Sequence, residues 1–229
     1  MSAEFDQYVS TYDQAWARAN RFMGKSHDFY TLAKAKHILS VLRRHKGEPR
    51  QLSLLDVGCG VGKTDYFLQD EVKELAGVDI SAASIERARQ ENPAVRYEVY
   101  DGRHLPFGDE AFDVAILICV LHHVAVAERA ALLREVRRVL KPGGFLLVIE
   151  HNPFNPLTRL SVARCEFDRD ARLLRRGVSV RLLREAELDV VESRYFLVFP
   201  FAFKGSDRLE RAVGRLPLGA QYYAAGRKR

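Results

Sequence analysis

Three aspartates close three successive apolar runs: Asp56 in LLDVGCG (54–60), Asp79 in GVDIS (77–81) and Asp101 in YEVYD (97–101). A carboxylate at a strand end accepts hydrogen bonds from amines and hydroxyls and repels phosphate. Behind Asp56, the turn Gly58-Cys59-Gly60 lets a ligand approach the backbone closely. The stretch continues to Gly62-Lys63-Thr64, which resembles the end of a triphosphate-binding loop. That motif, G-x-x-x-x-G-K-[ST], needs a glycine at position 57, where the chain has Val57. The dinucleotide pattern G-x-G-x-x-G also misses, because Gly62 comes one place early and Lys63 takes its slot. Asp79 lies about 20 residues further on, where an acid accepts from both ribose hydroxyls. Asp101 can reach an adenine amino group or serve as a helix cap. Three acids at adjacent strand ends predict a negatively lined cleft for an adenosine with a positively charged tail.

Alternating strands and helices must position those acids. Apolar runs predict strands over 51–57, 74–80, 94–101, 112–119 and 144–150. Helical spacing predicts helices over 63–72, 81–92 with Ser81 as cap, and 127–140. Lys141-Pro142-Gly143-Gly144 is a stop signal after the last of these. The order implies a parallel, doubly wound α/β sheet with helices on both faces. Beyond 176, a helix over 178–188 and strands over 189–199 and 219–228 suggest an antiparallel edge pair. Residues 151–176 and 200–217 are rich in Pro, Arg and aromatics and are expected as insertions over the ligand edge. The chain thus divides into an N-terminal helical lid (1–50), a cofactor-binding core (51–150) and a C-terminal half of the same domain (151–229).

LLDVGCGVG (54–62), GVDIS (77–81), YDGRHLPFGDEAFDVAILICVLHHV (100–124) and LKPGGFLLVIE (140–150) together resemble class I S-adenosylmethionine-dependent methyltransferases, of the bacterial small-molecule, type 11-like subgroup. The resemblance implies a Rossmann-like sheet of seven strands, the last antiparallel, with S-adenosyl-L-methionine as cofactor. It places Asp56, Gly58, Cys59 and Gly60 at the methionine part, Asp79 at the ribose and Ile80 against adenine. Asp101, Gly102 and Arg103 fall at the adenine edge, and Cys119, Val120 and His123 at the sulfonium and acceptor side. Cys59 and Cys119 can equally be packing residues. The N-terminal aromatics Tyr8, Tyr12 and Trp16 share one helix face. They form either core or, with Tyr12 foremost, a lid over the cofactor.

Methyl transfer from a sulfonium is an in-line displacement, so the protein mainly aligns reactants and excludes water. A base is needed only where the acceptor loses a proton. His123 leaves the fourth strand and His151 the fifth, beside His122 and Glu150; His123 and His151 are the catalytic candidates, with packing or capping as their other role. His151 opens EHNPFNPLTR (150–159), whose Asn-Pro pairs predict a rigid exit.

The bulk composition narrows the classes. The chain has 229 residues, 47% of them apolar, which suits one domain with a full core. The formal charge of +6 comes largely from arginine-rich helices, read as solvated faces or as a basic surface for an acidic partner or RNA. Three cysteines without CxxC or Cys/His spacing predict neither a disulfide framework nor a metal site. No apolar run reaches membrane-spanning length and the N-terminus lacks a leader pattern, so a cytoplasmic location is expected. FLVFPFAF (196–203) could line an apolar acceptor site or touch a membrane surface peripherally. No Asn/Asp-Pro-Pro-aromatic motif follows the fourth strand. The expected acceptor is therefore an O or N of a small molecule, glycan or lipid-linked precursor rather than RNA or protein.

Overall fold

A computed structural model of the chain describes residues 6, 8–197 and 214–229. Its strands are β1 (Ser53–Val57), β2 (Glu74–Asp79), β3 (Arg96–Val99), β4 (Phe112–Ile118), β5 (Leu140–His151), β6 (Leu188–Phe196) and β7 (Gln221–Lys228). They form one seven-stranded sheet in the order β3-β2-β1-β4-β5-β7-β6. β1 pairs in parallel with both β2 and β4, so the chain crosses to the other side of β1 between β3 and β4. That reversal opens a crevice at the carboxyl ends of the strands. The last strand, β7, runs antiparallel to both β5 and β6, as expected.

The helices are α1 (Tyr12–Asn20), α2 (His27–His45), α3 (Asp65–Leu68), α4 (Ala82–Glu91), α5 (Arg129–Val139), α6 (Pro156–Arg164) and α7 (Arg176–Glu185). Successive strand residues point to opposite faces, so continuous apolar runs build two cores. Leu54, Ile116 and Leu147 join Ile38 and Leu42 of α2 on one side. Leu55, Ala115 and Leu146 join Leu133 and Val136 of α5 and Leu183 of α7 on the other. Hence α2, within the segment expected to be a lid, packs in the core layer through Ile38 and Leu42, while its first turns give Thr31 and Lys34 to the cavity wall.

Two elements differ from their sequence signals. The helix expected over 63–72 is a single turn, Asp65–Leu68. It is short because the preceding loop is held from below: the Asn92 amide donates to Gly62 O (3.0 Å) and to Tyr97 Oη (3.0 Å), and the Tyr97 hydroxyl donates to Asp65 (2.8 Å). A Cβ at Gly62 would fall 2.6 Å from both Asn92 Nδ2 and Tyr97 Oη. The Lys141–Gly144 stop signal ends α5 as expected but is absorbed into β5, which starts at Leu140 opposite Phe112 with a register shift before Val114. The aromatic stretch 196–203 and the insertion 200–217 fall mostly in 198–213, outside the described residues.

The two Asn-Pro pairs form a clasp. Asn152 is buried; its amide donates to Pro217 O (3.0 Å) and Gly219 O (2.7 Å), and its Oδ1 accepts from Phe154 N (3.0 Å). Asn155 caps α6 by accepting from Thr158 N (3.0 Å), with Pro156 in the first turn, and donates to Leu218 O (2.9 Å). The exit of β5 is thereby tied to the entry of β7.

Beneath the glycine loop, Asp56 and Asp65 are both buried and share a hydrogen bond. Burial, and then the Asp65 charge, pushes the Asp56 carboxyl well above the usual range, and burial pushes Asp65 up to about 6. Since Asp65 accepts from Tyr97, Asp56 is the member that keeps the proton.

Two predictions follow from these contacts. Asn152→Ala leaves the buried Gly219 carbonyl without its donor and unties Pro217, and should cost about 1–3 kcal/mol in a urea denaturation series; an unchanged midpoint would contradict the clasp. A carboxyl raised in the folded state contributes stability that is complete below its unfolded pKa and is lost as pH rises through the folded value, here about 6 for Asp65. Asp56→Asn keeps a donor for Asp65 and removes one ionisable partner. Its melting temperature relative to wild type should therefore climb from pH 5 to pH 7, whereas a pH-independent difference would exclude the shared proton.

Candidate active site

A cavity of about 300 Å³ opens where β1, β2 and β4 end. Its floor is the glycine loop. Gly58 N and Cys59 N donate to Val78 O (2.7 and 3.1 Å), docking the loop on β2. Gly58 and Gly60 have φ of +79° and +55°, and a Cβ on Gly58 would fall 2.5 Å from Val120 Cγ2. Glycine is thus required at position 58 both by conformation and by the close approach of the β4 exit.

Asp79 ends β2 with its two oxygens accepting from Gly60 N (2.8 Å) and Ser81 N (2.9 Å). Burial pushes its pKa up, opposed by these backbone donors. Ser81 in turn caps α4 by accepting from Ser84 N, and its hydroxyl donates to Asp6 (2.5 Å). Asp56, Gly58, Cys59, Gly60, Asp79, Ile80, Gly102, Cys119, Val120, Tyr12, His123 and His151 all border the cavity. Twelve of the fourteen residues expected from sequence are thereby brought together.

Asp101 and Arg103 are not among them. Both are exposed. Asp101 accepts from Arg103 N (2.7 Å) and His104 N (2.6 Å) and pairs with the His104 ring (3.0 Å), so it caps the turn after β3, and these donors lower its pKa to about 2. Arg103 reaches outward to Glu128 (3.5 Å). The expected notch of three acids is corrected to Asp79 and Asp56, with Asp65 behind them. Only two of the strand-end acids border the cavity: Tyr100 and Gly102 at the exit of the edge strand β3 line it, while the Asp101 carboxylate between them turns onto the backbone of Arg103 and His104.

The upper wall comes from the N-terminus. Tyr12 stacks on Phe167 (5.0 Å between centroids, 15°) and Trp16 on His27 (4.4 Å, 15°). Tyr8, Tyr12 and Trp16 line the cavity, so their shared face looks onto it. Arg87 of α4 ties this segment down by donating to Val9 O (2.8 Å) and Asp13 (2.6 Å).

At the far end, four side chains crowd together. His122 Nδ1 meets Glu150 at 2.6 Å, while its Nε2 lies 3.5 Å from Asp168. His123 Nε2 is 3.3 Å from the same Asp168 oxygen. Glu150 also accepts from Leu121 N (2.8 Å). Against burial, the Glu150 and Asp168 carboxylates hold the His122 pKa well above its ordinary value. Burial, and then the charge of His122, pushes His151 down to about 4, so at neutral pH it is an uncharged imidazole. Burial likewise raises the Cys119 thiol to about 11, and the Gln221 amide points at its sulfur (3.2 Å).

Sequence reasoning missed Lys34, Thr31, Phe167 and Asp168, all on the cavity wall. The last two lie in CEFD (165–168), within the 151–176 insertion expected over the ligand edge, where no individual residue of that stretch stood out. Lys34 sits amid the regular amphipathic pattern of α2 and carried no separate signal.

Comparison with known proteins agrees with this geometry. The methyltransferase domain family matches residues 55–148. An uncharacterized methyltransferase of Synechocystis is 35% identical over 103 residues, covering 44% of this chain and 49% of that protein. The yeast (Saccharomyces cerevisiae) tRNA (carboxymethyluridine(34)-5-O)-methyltransferase is 41% identical over 95 residues, covering 41% of this chain and 33% of that enzyme. The chain thus matches about half or less of the length of these curated relatives. A Thermotoga maritima SAM-dependent methyltransferase superposes with a TM-score of 0.70 at 22% identity over 100% of both chains, which shows a shared fold. Residues 55–148 thus match the methyltransferase domain family, and the seven-stranded sheet that frames them has the fold seen in S-adenosylmethionine-dependent methyltransferases.

Proposed function

We propose that the protein transfers a methyl group from S-adenosylmethionine to an oxygen or nitrogen of a small-molecule acceptor, glycan and lipid-linked precursors included. The observation that carries this reading is one continuous cavity with Asp79 and the glycine loop at one end and His123, His151 and Asp168 at the other.

The residues fit the cofactor. Asp56 Oδ1 is buried with no hydrogen-bond partner and borders the cavity, where a cationic tail would satisfy it. Asp79 spends one interaction per oxygen on the loop and keeps lone pairs for two ribose hydroxyls. Ile80 and Gly102 supply an apolar, close wall for a base, and Cys59 and Gly60 the backbone approach. When bound, the sulfonium supplies both the methyl group and its leaving group. The protein's own part is alignment and dryness: Tyr12, Trp16 and Phe167 close the cavity against water. Of the two catalytic candidates, His151 presents an uncharged imidazole that can accept a hydrogen bond from an acceptor hydroxyl or amine.

The arginine-rich helices support a small acceptor over RNA. Arg138 pairs with Glu135 and Asp109 (2.7 Å each), Arg137 with Glu187 (3.3 Å) and Arg181 with Glu185 (3.5 Å). These guanidiniums are engaged along their own surface. The yeast relative named for tRNA modification matches only 41% of this chain and 33% of its own length.

Two measurements test the reading. Asp79→Ala removes the ribose acceptor, and calorimetry should show S-adenosylhomocysteine binding weakened by roughly 10- to 150-fold, the equivalent of one charged hydrogen bond; near-normal affinity would count against it. Incubation with methyl-labelled cofactor and an extract separated into RNA, protein and small-molecule fractions should label the last. Label confined to RNA would overturn the acceptor class.

A further inference from the structure

We propose that His122 Nε2, His123 Nε2 and Asp168 Oδ1 form a binding site for a divalent transition-metal ion on the acceptor side of the cavity. These three atoms lie within 4.8 Å of one another. They come from two segments, the β4 exit and the 165–168 turn, so no sequence spacing announces them.

Distance argues for an ion over a direct hydrogen bond. Charge-assisted N–H···O bonds run about 2.7–2.9 Å. The His122–Glu150 contact is of that kind at 2.6 Å. The contacts to Asp168 are 3.5 and 3.3 Å, close to the edge of a tetrahedron with ligands about 2.1 Å from its centre, roughly 3.4 Å. Orientation agrees. His122 is 2% exposed, and its Nε2 is buried without any hydrogen-bond partner. Its Nδ1 is committed to Glu150 at 2.6 Å, and its Nε2 is aimed at the Asp168 carboxylate across a 3.5 Å gap that an ion would bridge. A carboxylate behind a histidine is also the usual outer support of a metal-bound imidazole, fixing its tautomer and ring plane.

Charge closes as well. Glu150 and Asp168 are two buried carboxylates, and one dication at the three atoms neutralises both. Two imidazole nitrogens and one carboxylate oxygen select zinc or another late first-row divalent ion over magnesium or calcium. His123 and Asp168 border the cavity, so open coordination positions would face it. An ion there would take an oxygen donor such as a hydroxyl or carboxylate group. That acceptor class rests on the methyl-transfer reading above, whereas ion binding does not.

The test uses the untagged full chain, stripped by chelator and titrated with Zn²⁺ or Co²⁺ by calorimetry and visible absorption. The expected result is one ion per chain with micromolar or tighter affinity. Asp168→Asn should lose that binding, and Glu150→Gln should weaken it by roughly 10- to 100-fold. Both variants should retain S-adenosylhomocysteine affinity, which shows that the fold is intact and keeps failure of the ion site distinct from failure of the cofactor reading. Absence of saturable binding in the wild type overturns the proposal, as does binding that Asp168→Asn leaves unchanged.

Discussion

The hydrogen bond from Gly60 N to Asp79 Oδ2 (2.8 Å) is the contact on which the site depends. It joins the loop after β1 to the end of β2, and with Gly58 N on Val78 O it sets how far that loop leans over the crevice. Were the loop lifted, Val120 would lose its contact with Gly58 and the β4 exit its position. The cavity floor, the cofactor acid and the path to the histidines are thus one assembly. The buried acids beneath it, Asp56 and Asp65, are tolerable only because they share a proton and because Tyr97 and Asn92 complete the network.

The opposite wall is built from chain outside the conserved-looking core pattern. α1 packs on α6, with Ser161 donating to Asn20 (2.5 Å) and Arg18 pairing with Glu166 (3.2 Å). The Asn152 clasp holds the segment leading to α6 against the entry of β7. Asp168 and Phe167 reach the cavity only because both ends of this insertion are anchored. This wall lies outside residues 55–148, the stretch that the methyltransferase domain family matches.

The apolar runs and their terminal aspartates determined a great deal by themselves. Buried strands must be apolar on both faces, and a strand-end glycine turn has few alternatives, so the sheet class, the glycine loop and Asp79 were legible from periodicity and spacing. The helix over 63–72 was not: its composition suits a helix, but Asn92 and Tyr97, distant in sequence, hold its start. Asp101 ends a strand as Asp79 does, yet only the folded turn shows its carboxylate occupied by the backbone of Arg103 and His104. His122, His123 and Asp168 meet through a packed insertion 45 residues downstream of His123. The sequence alone thus determined the glycine loop, Asp79 and the β4 and β5 exits that carry His123 and His151, because these are set by local strand and turn physics. Tertiary structure alone decided that Asp168, Phe167 and Lys34 join them, because those groups converge only through long-range packing that no local pattern encodes.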